Sequence, residues 1–108
     1  MKIEDAARVD RELVEHVTPA DGNIFADLGF PPEEAVNLRI RSRLMVEAIR
    51  IIRARGLKQK KAAELFGVSQ PRISDLTRGK IDEFTIDSLV NMLAHAGVTV
   101  EVSVRSAA

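Results

Sequence analysis

The sequence predicts an all-α fold built on one small domain with short flanking segments. Three observations support that class. Four stretches space their apolar residues three and four apart, the period of a helix with one buried face, and a glycine closes each of them. A single stretch, 98–104, alternates apolar and polar residues with the period of a half-buried strand, so strand content is confined to one segment. Finally, 108 residues that are 45% apolar and 30% charged can bury a core, yet they hold no apolar run long enough to span a membrane. With no cysteine, disulfides, thiolate zinc sites and thiol nucleophiles are excluded. A thiol-free chain with no visible secretory signal is expected in the cytoplasm.

Residues 1–22 form an N-terminal arm. Ile3, Ala6, Ala7, Val9, Leu13, Val14 and Val17 are loosely spaced as in an amphipathic helix, until Thr18, Pro19, Asp21 and Gly22 break the pattern. The arm is expected to be a short helix, or disordered until bound. The domain proper spans 23–97. It opens on Ile24, Phe25, Leu28 and Phe30, a short apolar stretch that should pack on the domain through its side chains. Pro31 and Pro32 followed by Glu33 and Glu34 then start a long helix. Proline costs no hydrogen bond in a first turn, and acids there oppose the positive end of the helix dipole. This helix runs to about Arg55 with Gly56 as its stop. Leu44, Met45, Ala48, Ile49 and Ile52 share one face, opposite a stripe of Arg39, Arg43, Arg50 and Arg53. Thr85 is placed to cap a last helix over 85–96, with Ile86, Leu89, Val90 and Leu93 inward and Gly97 ending it. In the closing strand Val98, Val100, Val102 and Val104 share a face. A lone strand leaves its edges unpaired, so it is expected to pair with a second copy or a partner's sheet, or else with residues 23–30 of its own chain.

Residues 57–80 carry the most information. A short helix from Gln59 to Phe66 is followed by Gly67, which can take a positive φ. A second begins after Ser69, whose hydroxyl can cap it, with Pro71 in its first turn and Gly79 at its end. Two helices that cross steeply through a tight turn need a small residue where they approach, and Ala63 supplies it. They need glycine at the turn, Gly67, and an apolar corner, Val68. They also need Ile73 and Leu76 to lock the second helix onto the first. This is the helix-turn-helix arrangement, whose second helix enters the DNA major groove. Lys58 departs from it, because lysine cannot accept hydrogen bonds from the first-turn N–H groups and the first helix lacks a cap worth ~1 kcal/mol.

The segment KQKKAAELFGVSQPRISDLTRGK, with NIFADLGF before it and the FTIDSLVNMLAHAG helix and VEVSV strand after it, resembles the phage-repressor (Cro/cI, xenobiotic-response-element type) regulators. Within them it is similar to the HigA-type, RelE-associated antitoxins. The resemblance covers about three quarters of the chain. It implies a lambda-repressor-like bundle of about five helices, a homodimer, and binding to a palindromic operator. It also implies that Gln59 clamps a phosphate and, for the antitoxin subfamily, that a small basic toxin of the RelE or HigB type is a partner.

On the second helix, Ser69, Gln70, Arg72 and Ser74 are the expected base contacts. Gln70 can bond adenine through N6 and N7, and Arg72 can bond guanine through O6 and N7. Lys58, Lys60, Arg78 and Lys80 are expected, with Gln59, to hold phosphates, which position a protein without reading sequence. Asp75 should pair with Arg72 or Arg78, each three residues away. His16 and His95 have no metal-ligand neighbours and read as ordinary surface or half-buried residues. No nucleophile motif or phosphate loop is present, so neither an enzyme nor a cofactor is expected.

Charge sharpens the same picture. Sixteen bases balance sixteen acids, which taken whole argues against a polyanion partner. By position, residues 1–38 hold three bases and nine acids (net −6), 39–80 twelve and three (net +9), and 81–108 one and four (net −3). The basic middle coincides with the helix-turn-helix and suits DNA, while the acidic ends suit a basic protein. A repressor that is also an antitoxin satisfies both. A stand-alone phage-type repressor is the alternative, and a small-molecule sensor ranks last because little chain remains for an effector domain.

Overall fold

The computed structural model describes residues 23–106, so the arm lies outside the described residues. Among the described residues five α-helices follow one another: α1 (Ile24–Asp27), α2 (Pro32–Ala54), α3 (Gln59–Phe66), α4 (Gln70–Thr77) and α5 (Ile86–His95), with a 3₁₀ turn at Ile81–Glu83 before α5. Within the described residues the all-helical class agrees with the sequence reading, and the five helices agree with what the resemblance implies.

The stretch read only as apolar, 23–30, is itself a one-turn helix. The Asn23 side-chain oxygen accepts from the N–H groups of Phe25 (3.0 Å) and Ala26 (3.3 Å), which satisfies two first-turn donors. Its amide donates to the Ala35 carbonyl (3.2 Å) and fixes α1 on α2. Ile24 and Phe25 are half-buried, and Phe25 meets Phe30 edge-on with centroids 6.1 Å apart. Leu28 remains 68% exposed, so the stretch packs by only part of its apolar surface.

The 23-residue α2 starts at Pro32 with Glu33 and Glu34 in its first turn. Met45, Ala48, Ile49 and Ile52 are buried as their spacing predicts, and Leu44 is half-buried. The buried face also extends to Ala35, Leu38, Ser42 and Val46. Ser42 tolerates burial because its hydroxyl donates to the Arg39 carbonyl (2.9 Å). Helices α3, α4 and α5 close over this face, and Phe66, Ile73, Leu76, Phe84, Leu89 and Leu93 complete one core. A reciprocal cap starts α5: Thr85 Oγ1 accepts from the Ser88 N–H (3.1 Å), and Ser88 Oγ accepts from the Thr85 N–H (3.0 Å).

The expected strand at 98–104 is a correction. Beyond Gly97 the segment joins no ladder, and no strand occurs among the described residues. Val98 and Val100 pack against the core, whereas Val102 and Val104 are 82% and 90% exposed. Alternation reports which face is apolar; a strand also needs a neighbour to share its ladder. The candidate neighbour within the chain, 23–30, is helical. None of the described helices is long and apolar enough to cross a membrane.

Candidate nucleic-acid interface

Helices α3 and α4 are joined by Gly67, Val68 and Ser69. At Gly67 the backbone is left-handed (φ 68°, ψ 33°), so the Val68 N–H can return to the Ala63 carbonyl (3.0 Å) while the chain turns sharply. A side chain there would also strike α5, because a Cβ would lie 2.8 Å from Cδ2 of His95. The His95 ring sits over the turn and its Nδ1 lies 2.8 Å from the Leu65 carbonyl oxygen. A carbonyl only accepts, so this nitrogen carries the proton. Ala63, Ile73 and Leu76 are buried and Val68 is half-buried against the core, as the crossing of two helices requires.

With its inner face so held, α4 presents its first turn outward. Ser69 Oγ accepts from the Arg72 N–H (3.4 Å), and Ser69, Gln70 and Pro71 are exposed. The Gln70 amide has no hydrogen bond among the described residues, so all of its donors and acceptors remain available. Pro71, read in the sequence only as a helix starter, is an exposed apolar surface beside it. Ser74 is half-buried one turn further along.

Arg72 makes two contacts that its helix alone does not announce. Its guanidinium carbon lies 4.2 Å above the centre of the buried Phe84 ring, and Nη1 donates to the Glu83 carbonyl (2.6 Å). To reach guanine it would have to leave both. From the other side, Arg41 Nη1 donates to the carbonyls of Ile81 (3.2 Å) and Phe84 (3.3 Å), so two arginines grip the 81–84 turn. Local periodicity gives no sign of either contact, because the partners are 11 residues or more away in sequence. Asp75 departs from its expected partners and pairs with Lys80 (3.5 Å) rather than Arg72 or Arg78.

Lys58, Gln59 and Lys60 are exposed at the start of α3, and Arg78 and Lys80 are exposed after α4. Lys61, beside them, pairs with Glu64 (3.5 Å). Among the described residues no group of three His, Asp or Glu side chains converges on a metal position. Lys58 occupies the cap position of α3 in the extended conformation a cap requires (φ −80°, ψ 166°), yet its side chain caps nothing. Replacing it with serine should stabilise the domain by about 0.5–1 kcal/mol in urea unfolding. The same change should weaken DNA binding through the loss of a cation. No gain in stability would show that the α3 N–H groups are already satisfied.

A search of curated proteins returns no match. A family described as a helix-turn-helix domain matches residues 24–105, which include every described helix. That match covers about three quarters of the chain and contains both the α3–α4 turn and the exposed first turn of α4. The chain therefore belongs to this family of helix-turn-helix domains, and its expected activity is DNA-binding regulation.

Proposed function

We propose that the protein is a sequence-specific transcriptional repressor that binds a palindromic operator in double-stranded DNA as a homodimer. It acts by binding rather than catalysis. The observation that carries this reading is the first turn of α4: Gln70 exposed with its amide unengaged, on a helix whose opposite face is locked by Ile73 and Leu76. Two such helices would enter successive major grooves about 34 Å apart. Pro71 offers an apolar contact to a thymine methyl beside the adenine that Gln70 can read.

The experiment is a binding titration on the DNA upstream of the protein's own coding sequence, with substitutions at two neighbouring positions. Gln70→Ala should cost about 1–3 kcal/mol of specific binding, relax preference at one base pair per half-site, and leave stability within about 0.5 kcal/mol. Arg72→Ala should lower stability by about 1–2 kcal/mol, because it removes a cation–π contact and a charged hydrogen bond. If Gln70→Ala leaves base preference intact, the groove-reading assignment is wrong.

We further propose that the protein is the antitoxin of a type II pair and represses its own operon. The support is the acidic composition of residues 1–38 and 81–108, which is complementary to a small basic toxin of the RelE or HigB type. Co-expression with the product of a small adjacent reading frame tests this. Growth arrest by that product, relieved by the full chain and not by one lacking residues 1–22, is the expected result. Full relief by the shortened chain would remove the arm from the interface.

A further inference from the structure

We infer that the segment 98–106 pairs antiparallel with its copy in a second chain through residues 101–105, about a two-fold axis passing through Ser103. The inference rests on the homodimer proposed above and specifies its register. The segment is rooted firmly. Its first N–H, at Val98, donates to the Leu93 carbonyl (2.9 Å), and Val98 and Val100 pack on the core. Val102 and Val104, the next apolar residues in the alternation, are 82% and 90% exposed. From Thr99 to Arg105 the backbone groups have no ladder partner among the described residues.

Symmetry restricts which residues can meet. In an antiparallel pair related by a two-fold axis, a residue and its opposite lie on the same face, so their numbers add to an even sum and the axis falls on a residue. With the axis on Ser103, Val102 lies opposite the partner's Val104 and Glu101 opposite the partner's Arg105. Each pairing occurs twice. Both exposed valines are then covered by valines and both exposed charges meet their opposites; within the described residues neither Glu101 nor Arg105 has an ion pair. An axis on Val102 leaves Glu101 opposite serine and Arg105 opposite threonine. An axis on Glu101 sets the two glutamates against each other, which is destabilising. An axis on Val104 sets Val102 against serine. The pattern of this nine-residue stretch therefore selects one register.

The sequence contains no cysteine, so a single introduced thiol reports on the axis alone. In the full chain, Ser103→Cys places two thiols opposite each other within the range a disulfide spans, and mild oxidation should give a covalent dimer. Thr99→Cys places its two thiols about eight residues, roughly 27 Å, apart and should not link. By light scattering on a dilution series, Glu101→Arg or Arg105→Glu alone should weaken the dimer about tenfold, and the two together should restore it to within about threefold. Circular dichroism of each variant verifies that the domain remains helical. If the unmodified protein is a monomer at every concentration, the homodimer reading fails along with the register. If it is a dimer in which Ser103→Cys does not link, or in which the paired reversal is as weak as the single ones, only the register is overturned.

Discussion

Raising salt from 50 to 200 mM should weaken binding to operator DNA by about 10³- to 10⁴-fold. The size of the effect follows from which cations are available. Lys58, Lys60 and Arg78 are exposed and have no ion pair among the described residues, whereas Lys80 is shared with Asp75 at 3.5 Å. Each copy therefore brings between three and four cations to phosphates, and a dimer about six to eight. At about 0.9 counterions released per phosphate neutralised, the logarithm of affinity should fall with the logarithm of salt at a slope of roughly −5 to −7. Because the chain as a whole carries no net charge, the slope reports these local cations rather than a bulk attraction. Asp75→Asn releases Lys80 and should steepen the slope by about one unit per copy. A slope shallower than about −2 across the same range would show that α3 and the end of α4 do not lie along phosphates.

What could be read from the sequence was what neighbouring residues decide among themselves. The ends of α3 and α4 are written locally: Gly67 for the left-handed turn, Ser69 for the cap, Pro71 for the first turn. The structure places each where the spacing put it. The missing cap at Lys58 was legible for the same reason. Features that depend on the partner across the core were not. In the sequence Arg72 reads as a base contact or a partner of Asp75; its contacts to Phe84 and Glu83 are not legible there because both lie beyond the end of its own helix. Asp75 was assigned by helical spacing to Arg72 or Arg78, but the chain turns back after Gly79 and delivers Lys80 instead. His95 showed no chemistry in its own helix, yet it sits against the turn that sets the angle of α4. The strand at 98–104 failed for a related reason. Alternation describes one strand, whereas a ladder needs two, and within the described residues the second is absent.

Replacing Gly67 with alanine should destabilise the domain by about 2–3 kcal/mol, a large part of the ~5–15 kcal/mol that holds a small domain folded. Two independent costs contribute. The left-handed backbone (φ 68°) disfavours any residue with a Cβ by about 1–2 kcal/mol. The added methyl would also stand 2.8 Å from Cδ2 and 2.9 Å from Nε2 of His95. The ring can swing aside, but only by giving up its hydrogen bond to the Leu65 carbonyl, worth about 0.5–1.5 kcal/mol. This separates the two costs in a double-mutant cycle followed by urea unfolding. His95→Ala should cost about 1 kcal/mol in the unmodified protein, where it removes that hydrogen bond, and close to nothing beside Gly67→Ala, where the bond is already lost. If the two substitutions are additive, His95 does not rest on the turn, and the backbone conformation alone accounts for glycine at this position. If they couple as expected, the last turn of α5 helps to fix the angle at which α4 is presented. His95→Ala should then weaken operator binding although the residue lies outside the helix-turn-helix.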